Sequence, residues 1–210
     1  MVSEAGKIRQ PLQRRSQEAF ERVLKAGREI LENVGVEGFT VAAVSKRAGV
    51  SVGSIYLRVP SREALILAIH DEEMERLERE ENSFNQADAS DLDTRSYVID
   101  VVLKTAGHTL ANAGILRAFM RRGPDDPDIW ARARATSQRI AADFEFAMLK
   151  RRDEFAHADP EKAVDFAFRV VYNMTARRVT HGAEFESARP LSDEEFLQEL
   201  GEMVADYLVG

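Results

Sequence analysis

The segment Thr40-Val-Ala-Ala-Val-Ser-Lys-Arg-Ala-Gly-Val-Ser-Val-Gly-Ser-Ile-Tyr-Leu-Arg-Val-Pro-Ser61 decides the fold. It reads as two very short helices joined by Gly49-Val50, with Pro60-Ser61 opening a third. Each short helix starts at a hydroxyl residue, Thr40 or Ser51, whose oxygen can accept from a backbone N–H left unpaired in the first turn. Helices of about eight residues are marginal alone in water, because nucleation costs more than so few turns return. Such elements persist when neighbours hold them, and a helix-turn-helix that seats one of them in a DNA major groove is a recurring use.

On the N-terminal side, Phe20, Val23, Leu24, Ile30, Leu31 and Val34 recur at three- and four-residue spacing from Ser16. That spacing predicts an amphipathic helix closed by Gly35. Residues 1–15, with Gly6, Pro11 and the pair Arg14-Arg15, read as a flexible basic arm. On the C-terminal side, Ser61 caps a helix that buries Leu65, Ile66 and Ile69. The charged run from Asp71 to Glu81 reads as its solvated face.

Residues 82–94 are polar and predict a loop and domain boundary. Helices are expected beyond it over 94–113, 114–122, 128–152, 159–182 and 192–209. Asp159-Pro160-Glu161 and Ser192-Asp193-Glu194-Glu195 supply caps and early acids at two of their starts. No segment alternates as a strand does. The expectation is an all-α chain: arm 1–15, a three-helix helix-turn-helix DNA-binding domain over 16–66, and a larger helical ligand-binding and dimerisation domain over 67–210.

A net charge of −7 first argues against nucleic acid. Its distribution reverses that, since residues 1–70 hold eleven Lys and Arg against seven Glu, leaving −11 for the remainder. A small basic module on an acidic body suits a docking element whose body discourages non-specific binding. The absence of cysteine excludes disulfides and thiolate chemistry. With no apolar run near the roughly 18 residues of a membrane span, a cytoplasmic protein without membrane partners is expected.

The ordered run Gly35-Val36-Glu37-Gly38-Phe39-Thr40, Val41 to Ser51, Gly53-Ser54-Ile55-Tyr56 and Pro60-Ser61-Arg62-Glu63-Ala64-Leu65 resembles the DNA-binding domain of the TetR/AcrR family of transcriptional regulators. The resemblance covers 16–66 and departs at Leu57-Arg58-Val59, where the family shows a variable residue, then His or Tyr, then Phe. It implies that the third helix enters the major groove, with Val52, Ser54 and Leu57 near base edges and Gly53 permitting close approach. Thr40, Tyr56 and Arg62 match positions that contact phosphate in the family, which sets register without reading sequence. Lys46, Ser51 and Arg58 complete the expected interface, and Arg9, Arg14 and Arg15 would track phosphate from the arm. Thr40, Ser51 and Ser61 are needed as caps in any case.

For the larger domain the resemblance implies dimerisation and a ligand pocket. Phe168, Val171, Phe196, Leu200, Met203 and Tyr207 lie on helices apolar over more than one face and are the expected homodimer contacts. Tyr97, His108, Phe119, Met120, Trp130, Phe144, Met148 and Tyr172 form the expected pocket set, apolar with a few polar handles. Arg177-Arg178 and His181 read as cations suited to a helix C-terminus. There is no glycine-rich phosphate loop, no nucleophile elbow and no metal-ligand spacing among the four histidines, so neither enzyme nor cofactor is expected. The function implied is a repressor that binds a palindromic operator as a homodimer and is released by a small molecule. An activator of the same fold, and a small-molecule-binding protein whose helix-turn-helix is structural only, remain open alternatives.

Overall fold

A computed structural model of the chain describes residues 6–85, 91–122 and 126–210, with side chains over 14–80, 91–121 and 126–210. All regular structure among these residues is helical: α1 (Gly6–Val34), α2 (Val41–Ala48), α3 (Val52–Tyr56), α4 (Arg62–Asn85), α5 (Thr94–Ala111), α6 (Ala113–Arg122), α7 (Pro127–Met148), α8 (Pro160–His181), α9 (Ala183–Glu186) and α10 (Asp193–Val209). A 3-10 segment, Leu149–Glu154, follows α7. Two compact units result, residues 1–75 and 76–210.

Three boundaries differ from the sequence expectation. The first helix begins at Gly6, so residues 6–15 of the expected arm are helical, and residues 1–5 of it lie outside the described residues. Nothing from Leu12 to Arg15 stops a helix. α4 continues to Asn85, past the expected loop start at 82, because polarity alone does not end a helix without a glycine or proline. The short α9 stands where only a turn through Pro190 was expected.

The first unit buries Val23, Leu31, Phe39, Val44, Ile55, Leu65 and Ile69. Gly27 sets how closely α1 approaches α4, since a Cβ there would stand 2.3 Å from Ile69 Cδ1 and 3.5 Å from the Phe39 ring. Gly35 ends α1 at φ +68°, its N–H donating to the Leu31 carbonyl at 2.9 Å. Glu73 departs from the solvated reading of the acidic run: it is buried and paired with Arg28 of α1 at 3.3 Å.

In the second unit α5, α7, α8 and α10 enclose one core around Val98, Val102, Phe144, Met148, Val164, Phe168, Val171, Leu200 and Val204. Gly201 lets α10 lie close on α5, for a Cβ there would meet Leu103 Cδ1 at 2.9 Å and Ile99 Cγ2 at 3.1 Å. The Tyr97 phenol donates to the Ala147 carbonyl at 2.8 Å, and burial pushes its pKa up, which keeps the donor protonated. α6 serves α8 directly: Arg117 and Arg121 donate to the Val179 and Thr180 carbonyls at 2.6 and 2.9 Å, satisfying acceptors a helix end leaves open. Among the described residues no helix is long and apolar enough to cross a membrane.

Candidate nucleic-acid interface

The two short helices owe their limits to local chemistry. Thr40 Oγ1 accepts from the Ala43 N–H at 3.1 Å and opens α2, which Gly49 closes at φ +65°. Ser51 Oγ accepts from the Ser54 N–H at 3.1 Å and lies 2.8 Å from Ser54 Oγ, which opens α3. Within α3 only Ile55 is buried, at 1% exposure. Val52, Gly53, Ser54 and Tyr56 are exposed, and Leu57, just past the helix, is 88% exposed.

Nothing inside the protein calls for this surface. A Cβ on Gly53 would meet no atom within 4 Å, and its φ is not positive. Glycine in a helix costs about 0.5–1 kcal/mol relative to alanine, so its presence here without internal need points outward. The expected base-reading residues Val52 and Ser54 on α3 and Leu57 just past it are thus all exposed.

The cations divide into two groups. Lys46 is exposed in the last turn of α2 and has no acidic partner among the described residues. Arg15 is likewise exposed, and Arg14 pairs with Glu18 at 2.9 Å while staying largely in solvent. Arg9 lies outside the residues whose side chains are described. The second group is engaged within the unit. Arg58 Nη2 donates to Ser16 Oγ at 2.7 Å, and its guanidinium stands 5.4 Å from the Phe20 ring centroid. Arg62 donates through Nε to the Phe39 carbonyl at 2.9 Å and through Nη2 to the Val36 carbonyl, and pairs with Glu63 at 3.2 Å. A backbone hydrogen bond and that arginine hold the Glu63 carboxyl below its ordinary range. Val59, where the sequence departs from the family's aromatic, is buried in the unit's core.

Two framework contacts escaped the sequence reading. Arg22 reaches the Ala48 carbonyl at 3.4 Å and so ties α1 to the end of α2, while Arg47 of α2 pairs with Glu29 of α1. Their partners lie on another element, 26 and 18 residues away, and no local spacing announces such pairs.

The residues expected to line a pocket do not form one set. Tyr97, Phe144, Met148 and Tyr172 belong to the second unit's core, Phe119 is buried on α6, and His108 and Met120 are half-buried. Trp130 is 53% exposed, with Arg134 stacked over its ring. The expected dimer contacts divide into buried and exposed residues. Phe168, Val171, Phe196 and Leu200 are buried inside their own chain, because α8 and α10 turn one apolar stripe onto the core. Met203 and Tyr207 are exposed, and so is Phe166, which was not among the expected contacts; its ring is 6.1 Å from that of Tyr207.

Residues 23–69 match the family described as bacterial regulatory proteins, tetR family. No curated protein shows significant sequence similarity to the chain. Among solved structures, GusR of Salmonella enterica is similar at 22% identity and TM-score 0.64, over 90% of this chain and 95% of that one. A transcriptional regulator from Rhodococcus sp. Rha1 aligns over 89% and 93% at 16% identity and TM-score 0.64. A transcriptional regulator from Saccharomonospora viridis, solved in complex with choline, aligns over 92% and 99% at 13% identity and TM-score 0.74. Residues 23–69 thus match the tetR-family model, and the fold is shared along about nine-tenths of the chain with these solved structures.

Proposed function

We propose that the protein is a ligand-responsive transcriptional repressor that binds a palindromic operator as a homodimer. The observation that carries the reading is the exposure of α3: Val52, Gly53, Ser54 and Tyr56 face solvent on a helix with a single buried residue, as does Leu57 just past its end. An element of five residues cannot justify its own order. Such a helix, held from behind by Ile55 and capped by Ser51, suits insertion into a major groove. Val52, Ser54 and Leu57 then read base edges, while Thr40, Lys46, Tyr56, Arg14 and Arg15 meet phosphate. Dimerisation draws on Phe166, Met203 and Tyr207, an exposed apolar strip on α8 and α10 that a second copy would cover with two-fold symmetry. Two copies of α3 would then stand about 34–36 Å apart, one helical turn of DNA. An effector bound to the second unit would oppose operator binding by linkage, each weakening the other by the same factor.

Selection of DNA from random or genomic fragments tests the reading. A palindrome with half-sites one turn apart is expected, with affinity falling steeply as salt rises. Enrichment of no palindrome, together with affinity flat in salt, removes it.

A further inference from the structure

The second unit holds an open cleft of about 800 Å³ at the end of α8, bordered by α9, the loop before α10 and the start of α10. Its walls include Met174, Leu191 and Phe196, and Arg177 and Arg189 stand on it. That volume lies within the range of small-molecule sites, which pair a mostly apolar lining with a few polar groups.

Charge decides what would occupy it. Residues 76–210 carry a net −7, and arginines in this unit commonly stand against carboxylates, as Arg95, Arg139, Arg151, Arg152 and Arg169 do. Arg177 and Arg189 have no carboxylate partner among the described residues. The acid on the wall, Glu186, is turned away onto buried Arg178, which also binds Asp193 at 2.7 Å and the Leu191 carbonyl at 2.6 Å and stacks 4.6 Å over the Phe196 ring. The fold thus neutralises its own acids at the rim and leaves two cations over an apolar floor.

Helix-dipole stabilisation does not account for them. The last carbonyls of α8 are already served by Arg117 and Arg121, and Arg189 belongs to a loop that leads into a helix N-terminus, where a cation is unfavourable. The Arg177 guanidinium carbon stands 4.7 Å from the Phe185 ring centroid, a contact that occupies no N–H with an acidic partner.

We propose that this cleft binds a small organic anion, a carboxylate on an apolar body. Arg177 and Arg189 hold the carboxylate, and Met174, Leu191 and Phe196 receive the body. As the effector seat it deepens the repressor reading and rests on it, but binding alone is independent of DNA.

Titration calorimetry of the full chain without DNA tests the site, using decanoate below its micellar range, decanol and decyltrimethylammonium. Decanoate is expected to bind once per chain, decanol at least about tenfold more weakly, and the cation not at all. Arg177→Gln and Arg189→Gln should each weaken decanoate about tenfold and leave decanol unchanged, with thermal unfolding unaltered. Equal affinity for all three probes, or no saturable binding, overturns the proposal. So does a change in dimer dissociation with none in decanoate affinity, for then a second copy covers the cleft. If decanoate binds but leaves operator affinity untouched, the site stands and its regulatory role falls. Failure of operator binding without any probe would instead sink the repressor reading.

Discussion

Arg58 shows how one residue can look like a DNA contact in sequence and be a strut in structure. It sits beside the reading surface, yet donates to Ser16 and stands over Phe20, fastening the end of α3 to α1. The two roles differ in salt dependence, because each phosphate contact contributes about 0.9 to the slope of log affinity against log salt. Arg58→Gln is expected to weaken operator binding by a few-fold at every salt concentration with the slope unchanged, whereas Lys46→Gln should lower the slope by about one. Ser16→Ala should repeat part of the Arg58 effect and add nothing to it in the double variant, as coupled partners do. A reduced slope in Arg58→Gln, measured by fluorescence anisotropy, would return the residue to the phosphate contacts. Arg62 is a strut of the same kind. Arg62→Gln leaves the Phe39 and Val36 carbonyls short of a donor and should cost about 1–2 kcal/mol in urea unfolding, a loss Lys cannot restore at both acceptors.

At the scale of elements, capping chemistry was the legible part. Thr40, Gly49, Ser51 and Asp159 sit where the sequence placed them, because a cap acts within four residues and is written in consecutive letters. Ser192 and Glu195 go further and form a reciprocal capping box that opens α10. What was not legible depends on the other side of a contact. Phe196 and Leu200 looked available to a partner, and only the presence of α5 and α8 shows them spent on the chain's own core. The capping box carries its own pH signature. Hydrogen bonds from the Ser192 hydroxyl and backbone N–H hold the Glu195 carboxyl below its ordinary value. A carboxylate lowered in the folded state stabilises above its unfolded pKa of about 4.3 and loses that contribution as pH falls through the lower folded value. Glu195→Gln should match the parent at neutral pH, since glutamine also completes the box, and show a shallower loss of stability below about pH 4 in thermal unfolding. Equal acid slopes would place the pH dependence elsewhere. Gly53 offers a test of α3 in which two readouts diverge. Gly53→Ala should raise stability by about 0.5–1 kcal/mol, since the added methyl meets only open space, while weakening operator binding. Unchanged affinity would remove close backbone approach to DNA.

At the scale of the whole molecule, the repressor reading requires two copies, and the sequence could indicate that only as an excess of apolar residues on α8 and α10. The structure divides that excess into buried residues and exposed ones, the latter Phe166 and Met174 on α8 and Met203 and Tyr207 on α10. The division makes the dimer testable without disturbing the core. Met203→Asp places a charge on the exposed strip, where burial against a second copy would cost several kcal/mol but exposure costs nothing. The variant should sediment as a monomer and unfold at the parent's denaturant midpoint when both are compared as monomers. Linking two half-site contacts raises affinity by an effective concentration, so its loss should weaken binding to the full palindrome about 100-fold or more. Binding to an isolated half-site should stay as it was, because α3 and its caps are untouched. A Met203→Asp protein that remains dimeric moves the interface off this strip. One that becomes monomeric yet keeps full palindrome affinity shows that the two half-sites are filled independently, and the symmetric operator then loses its physical basis.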